Sequence, residues 1–311
     1  MTTPKISVVV PVWNRASLIE RCLDSVKNQS LQPTELIVVD NNSSDKTVEV
    51  VKQWIRNCED SGIKIQLLSE LKKGACAARQ KGLENTEGDF VIFFDSDDVM
   101  LPGLLENITD KIRSNPETDI VCWKCRINQL DGTVKIPAFI PENPIESHLI
   151  HTLFRPQGFI VRKDFLLRAG GWNKPIEVWN DLELGLRLIL WKPKLVAINK
   201  VLAVIYSQKD SITGLDFSSK EGKWESTLHE MEKENEKHSH PRNKKIKRIL
   251  HYRKSILAAH YYLEGTRNGA ANLIKETLKN KSFMEKLLLQ FSYHFTRKGL
   301  RGVWRIVRMA Y

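Results

Sequence analysis

What most constrains this chain is a rhythm in its first 110 residues. Four short apolar runs, ISVVVPV, ELIVVD, IKIQLLS and DFVIFFD, are each followed by a segment with helical spacing. The runs are rich in β-branched residues and almost continuously apolar, as strands buried on both faces must be. Between them Leu18, Ile19, Cys22, Leu23 and Val26 recur at helical intervals, TVEVVKQWIRNC and GACAARQKGLENT read as helices, and LPGLLENITDKIR carries Pro102 near its first turn. Alternation of this kind predicts an α/β fold, a mostly parallel sheet with helices on both faces. Ligands of such sheets bind beyond the carboxyl ends of the strands. Pro11 to Arg15, Asp40 to Asp45 and Asp95 to Asp98 each lie just past a strand, so three separated segments should meet at one edge.

From about residue 119 the rhythm loosens. DIVCWKCRINQLDGTVKI reads as a hairpin around Asp131-Gly132, residues 141–157 as a loop or short helix, and GFIVRKDFLLRAGGW as a strand and a helix stopped by Gly170-Gly171. NDLELGLRLILW has the pattern of an amphipathic helix, and KLVAINKVLAVIYS that of two short strands. After Gly214 only helical patterns remain, the last running through FMEKLLLQFSYHFTRKGLRGVWRIVRMAY. The expected organisation is a catalytic domain over 1–214, with a nucleotide-binding half at 1–110 and an acceptor-side half at 111–214, then a basic helical region over 215–311.

The formal net charge of +11 is unevenly placed. Residues 1–216 hold 27 Lys+Arg against 28 Asp+Glu, whereas residues 217–311 hold 21 against 9. The tail region should therefore have its own anionic partner. The stretch RNKKIKR at 242–248 reads as a solvated helix face, and no nucleic-acid partner is expected. Leu300, Val303, Trp304 and Val307 recur at helical spacing beside Arg297, Arg301, Arg305 and Arg308, which predicts an interfacial helix within 291–311 on an anionic membrane surface. The N-terminus carries no signal-peptide pattern, and no apolar run is long enough for a span. Five cysteines, an odd number, fit reduced thiols, and Cys122-x-x-Cys125 lacks a second ligand pair. The expectation is a cytoplasmic protein, peripheral on the inner face of the membrane.

Asp95, Asp97 and Asp98 crowd three carboxylates into four residues at the end of an apolar strand. Helix capping accounts for one or two such acids. A divalent cation, Mn²⁺ or Mg²⁺, accounts for all three, since such ions sit on one or two carboxylates with substrate phosphates completing the shell. Neither G-x-x-x-x-G-K-[ST] nor G-x-G-x-x-G occurs, so a metal rather than a glycine-rich loop would neutralise a diphosphate.

VVVPVWNR, LIVVDNNSSD, GACAARQKGL and FVIFFDSDD, in this order and spacing, resemble the family 2 glycosyltransferases of GT-A fold, in detail over residues 5–110 and more loosely to about 214. The resemblance implies that Pro11, Trp13 and Arg15 line the nucleotide pocket, with Trp13 near the base. It implies that Asp40 accepts from the N3–H of a uracil, that Arg79 approaches the nucleotide, that Asp95 lies towards the ribose, that Ser96 belongs to the nucleotide-binding set, that Asp97 holds the metal and that Asp98 supports them. Gln80 stands where the family has Asn. The family's base, the Asp of a Glu-Asp pair opening a helix, falls on Asp181, with Asn180 in place of the Glu; Glu183 is the alternative base and Arg187 a brace for that helix. A histidine common after the last strand is replaced in Tyr206-Ser207-Gln208-Lys209, which leaves Lys209 as the cation nearest that position. His148 and His151 fall in no motif. The implied activity is metal-dependent, hexosyl-type and inverting: a sugar passes from a nucleotide-diphosphate donor, a UDP-sugar, to a hydroxyl of a glycan or lipid-linked acceptor in cell-surface polysaccharide synthesis. Two alternatives stay open. One is a non-catalytic nucleotide-sugar-binding subunit, for which Asn180 and Gln208 leave room. The other is a nucleotidyltransferase on a similar sheet, whose G-x-x-x-R loop PVWNR does not supply.

Overall fold

The computed structural model describes residues 3–58, 62–208 and 216–308. Lys209 and the last three residues of the 291–311 segment lie outside the described residues. The chain parts into two compact units, residues 1–209 and 210–311.

In the first unit, β1 (Ile6–Val12) lies between β2 (Glu35–Asp40) and β4 (Phe90–Phe93), with β3 (Lys64–Ser69) outside β2, and all three pairings are parallel. Val12 stands opposite Asp40 and Asp40 opposite Ser69, so neighbouring strands end level and release their chains at one edge. The alternation of apolar runs and helices dictates this half of the sheet. The other half is mixed. β5 (Val99–Met100), β6 (Ile120–Asn128), β7 (Val134–Lys135), β8 (Phe159–Arg162) and β9 (Leu195–Tyr206) complete the order β3-β2-β1-β4-β8-β6-β9-β5, with β7 on β6. β8 runs antiparallel to β4 and to β6, whereas β6 and β9 are parallel. β9 is one strand rather than two: Ile198 pairs with Trp123 and Val201 with Lys124, so Asn199 and Lys200 form a bulge that resembles a break in the pattern.

The helices α1 (Ile19–Lys27), α2 (Thr47–Arg56), α3 (Ala75–Glu84), α4 (Leu104–Ser114), α5 (Pro144–His151), α6 (Lys163–Arg168) and α7 (Asn180–Leu190) cover the sheet. Cys22, Leu23 and Val26 of α1 and Leu105 and Ile108 of α4 enter a core shared with Val8, Val10, Val38 and Ile92. α3 lies flush on β1 because residue 82 is glycine: a Cβ there would stand 2.3 Å from Val9 Cγ1. α7 corrects the sequence expectation. From Leu182 to Leu190 every residue is buried, including Glu183 and Arg187, so it is an interior helix rather than an amphipathic one.

The second unit is helical, with α8 (Lys223–Lys237), α9 (Asn243–Leu263), α10 (Arg267–Leu278), α11 (Phe283–Arg297) and α12 (Trp304–Val307). Trp224, Leu228, Ile249, Leu250, Tyr261 and Leu273 form its interior. The basic stretch that opens α9 puts Ile246 in that interior, while Lys247 pairs with Glu236 at 3.2 Å and Arg248 approaches Glu285 at 3.7 Å. The interfacial helix expected within 291–311 does not form as one helix. α11 ends at Arg297, and Gly299 and Gly302, at φ 78° and 83°, turn the chain before the short α12. Val303, Trp304 and Val307 are then buried, Trp304 against Tyr252 with ring centroids 5.0 Å apart, and of the expected stripe only Leu300 is exposed. No helix among the described residues is long and apolar enough to cross a membrane.

Candidate active site

The level strand ends build the site. The chain leaving β1 carries Pro11, buried within the strand, and then Trp13, which is 53% exposed and free to meet a planar ligand. Asn14 follows at φ 49°, held by its N–H on the Ser43 hydroxyl at 3.0 Å and by its side-chain oxygen, which accepts from the Ser44 N–H at 2.8 Å. These bonds tie the β1 and β2 loops together. Asp40 closes β2. It is buried; Oδ2 accepts from the Ser43 N–H at 3.3 Å, and Oδ1 has no partner among the described residues. A buried acceptor without a donor costs free energy, which a ligand N–H would recover. Asn41, which sequence reasoning missed, fixes this loop by donating to the Glu70 and Lys72 carbonyls and accepting from the Gly74 N–H, all within 2.9 Å.

Gly74, at φ 126°, opens α3, and Arg79 one turn on is buried. Its Nη2 donates to Asp95 Oδ1 at 2.6 Å, its Nη1 donates to Asn180 Oδ1 at 3.2 Å, and its guanidinium lies 4.7 Å from the centroid of the Trp172 ring. One cation therefore joins the β4 acid to the start of α7. Gln80, which replaces the expected Asn, accepts from the Trp172 N–H at 2.8 Å and so fastens α3 to the turn after α6.

Past β4 the three acids take different environments. The Gln157 amide donates to Asp95 Oδ2 at 2.6 Å and to Asp98 Oδ2 at 2.5 Å, and the Tyr206 N–H donates to Asp98 Oδ1 at 2.8 Å. Both oxygens of Asp95 and both of Asp98 are thus occupied. The Asp97 carboxylate accepts from its own backbone N–H and from Arg15, whose Nε lies 3.5 Å from Oδ2. Ser96 between them is buried. Burial, and then the neighbouring Asp95, raise the Asp97 carboxyl above its ordinary range, against the pull of Arg15. Burial, Asp95 and Asp97 raise Asp98 further. Among the described residues no group of three His, Cys, Asp or Glu side chains could cage a metal. A single divalent cation on Asp97, with its other positions filled by a diphosphate and water, fits this donor set. Asp97 is held more loosely than the other two, its Arg15 contact lying at 3.5 Å against bonds of 2.5 to 2.8 Å to Asp95 and Asp98, and a cation would relieve its crowding.

α7 brings the remaining acid. Trp179 caps it at φ 49°, a strained conformation for a bulky side chain. Asp181 Oδ1 accepts from the Leu182 N–H at 2.9 Å. Burial raises its carboxyl; Arg79 and Arg155 act in the opposite sense. Glu183, the alternative base, is tied by both oxygens to Arg187, at 2.8 and 2.9 Å, and is fully enclosed. Arg187 also donates to the Ala169 and Gly171 carbonyls, so this pair braces the helix. Below the first turn lies His148, fully buried, with Nδ1 accepting from the Phe154 N–H at 3.2 Å and Nε2 2.9 Å from the Leu182 carbonyl. Those partners assign the neutral tautomer with the proton on Nε2. His148 comes from α5, and Arg155 and Gln157 from the turn that follows it, in a stretch where no periodic pattern marks them.

The GT-A-like arrangement recurs in solved structures. S. aureus TarS 1–349 in complex with UDP-GlcNAc superposes with a TM-score of 0.71 at 16% identity, covering 98% of this chain and 92% of that one. The mannosyltransferase PcManGT from Pyrobaculum calidifontis, in complex with GDP-Man and Mn2+, gives 0.59 at 18%, covering 99% and 83%. In sequence, the chain is 40% identical over 108 residues to a Campylobacter jejuni GalNAc(5)-diNAcBac-PP-undecaprenol beta-1,3-glucosyltransferase, 35% of this chain and 34% of the relative. It is 32% identical over 177 residues to the putative glycosyltransferase EpsH of Bacillus subtilis, 56% of this chain and 47% of the relative. The chain thus spans between a third and a half of the length of these curated relatives. The profile of Glycosyl transferase family 2 matches residues 7–170, more than half of the chain, and the chain belongs to that family.

Proposed function

We propose that the chain is an inverting glycosyltransferase that moves a hexosyl group from a UDP-sugar to a hydroxyl of a lipid-linked glycan in cell-surface polysaccharide synthesis, working at the inner face of the membrane. The observation that carries this reading is the Arg79 guanidinium, which joins Asp95 to Asn180, the neighbour of Asp181. Donor-side and acceptor-side acids are thereby held in one charged network. In this reading Trp13 packs on the base, and the open Oδ1 of Asp40 accepts its N3–H. Pro11, Arg15 and Ser96 line the nucleotide pocket, Asp95 faces the ribose, and Asp98 supports the loop. A divalent cation on Asp97, Mn2+ or Mg2+, supplies charge neutralisation for the diphosphate. Asp181 accepts the acceptor's hydroxyl proton as that oxygen bonds to the anomeric carbon; the bond to the diphosphate oxygen breaks, and UDP leaves with the electron pair. A carboxylate made more basic by burial suits that role. The lipid-linked acceptor is supported by the name of the Campylobacter relative.

The test is incubation of the chain with UDP-sugars, Mn²⁺ and an undecaprenyl-diphosphate glycan, with the product's anomeric configuration read by NMR. Transfer with inversion, lost in EDTA, is the expected result. Retention of configuration, or full transfer in EDTA, would contradict the reading.

A further inference from the structure

We infer that the outward face of α11 docks the second unit onto an anionic lipid bilayer. α11 buries Leu289, Ser292, Tyr293 and Thr296 on one side. On the other side Phe283, Met284, Leu287 and Phe291 are 80%, 59%, 50% and 42% exposed. At a helical turn of about 100° per residue these four share an arc of about 100°. A helix packed on a soluble core normally turns a polar face to water. This one turns apolar side chains to water instead, in a contiguous patch rather than as scattered single residues.

The charge around the patch identifies its complement. Residues 279–308 hold eight Lys+Arg and one acid, Glu285. That acid is consumed locally, since its carboxylate accepts from the Ser282 N–H at 3.2 Å and lies 3.7 Å from Arg248. Lys286 borders the apolar arc on α11 itself, and Lys279, Lys298, Arg301 and Arg305 flank the helix ends, all of them exposed. An apolar face with a basic rim matches acyl chains beneath anionic headgroups. A second copy of the chain would bring a rim of the same sign, so charge favours lipid over self-association. The surface differs from the C-terminal stripe suggested by sequence, whose Val303, Trp304 and Val307 are committed to the interior. It is independent of the transfer reaction.

The experiment is co-sedimentation of the full chain with vesicles of phosphatidylglycerol mixed equally with phosphatidylcholine, and with vesicles of phosphatidylcholine alone. Two variants accompany it: Phe283→Ser/Leu287→Ser/Phe291→Ser and Lys279→Gln/Lys286→Gln/Lys298→Gln. All six side chains lie at the surface, so both variants should keep the thermal transition of the unmodified chain. The chain should pellet with the mixed vesicles and be released by high salt. The apolar variant should bind at least about tenfold more weakly. The basic variant should lose the preference for phosphatidylglycerol. Equal binding to both vesicle types, or unchanged binding by the apolar variant, would overturn the proposal. A dimer that the apolar variant dissolves, with no vesicle binding, would assign the face to a second copy instead.

Discussion

Asp97 combines a structural cost with its proposed task. Its carboxyl is raised by burial and by Asp95, so the folded chain holds that proton to a higher pH than the unfolded chain does. Stability from this group is therefore lost as pH rises from the ordinary carboxylate value, about 3.9, through the raised one. Without metal, Asp97→Asn should unfold at a higher temperature than the unmodified chain at pH 7, and the gap should close as pH falls through that window. A variant less stable at pH 7 would show that the Arg15 contact outweighs the crowding. Asp181 is raised by burial in the same way, but the consequence is kinetic. A base must be ionised, so kcat/KM should fall on an acid limb lying above about 3.9. Asp181→Asn should lower kcat by about 10²–10⁴-fold with KM for the donor little changed. Near-normal turnover would remove Asp181 from the role. Gln157 carries two carboxylates on one amide. Gln157→Leu leaves two oxygens of Asp95 and Asp98 without that donor, and chemical denaturation should register a loss of about 2–4 kcal/mol.

At the scale of elements, α7 depends on a small residue. A Cβ at Gly185 would lie 2.2 Å from His148 Cε1, inside a ring that cannot withdraw because both its nitrogens are bonded. Gly185→Ala gains about 1 kcal/mol of helix propensity, while overpacking costs about 1–3 kcal/mol. Urea unfolding should show a net loss, and transfer should fall with it because Asp181 opens the same helix. The parallel half of the sheet was legible in the sequence for a plain reason: each buried strand stops where polar residues begin, and those stops are the loops that hold Trp13, Asp40 and Asp95. The clamp from Gln157 was not legible. It comes from a single 3-10 turn at Pro156–Gly158 and reaches an acid 59 residues away, so no local period marks it. α7 misled in another way, because Glu183 and Arg187, four residues apart, contribute to an amphipathic pattern although the two neutralise each other inside the unit. The C-terminal stripe misled because helical spacing was extended through Gly299 and Gly302, two residues whose positive φ ends the helix. Those glycines were the available signal.

At the scale of the whole molecule, charge and chemistry are segregated. The first unit holds the acids, the arginine network and the strand ends, and the second holds the excess of basic residues and the apolar outer face of α11. A nucleotide that binds only the folded chain stabilises it by mass action, by about 2.7 kcal/mol at a concentration of about a hundred times Kd. The proposed pairing of donor and cation on one edge can therefore be separated from everything else by calorimetric titration of UDP into the full chain and into Asp97→Asn, each with and without Mn²⁺. The account predicts that Mn²⁺ tightens UDP binding to the unmodified chain by at least about tenfold and leaves binding to Asp97→Asn unchanged. Equal UDP affinity in all four titrations, or an undiminished Mn²⁺ effect in Asp97→Asn, would contradict it.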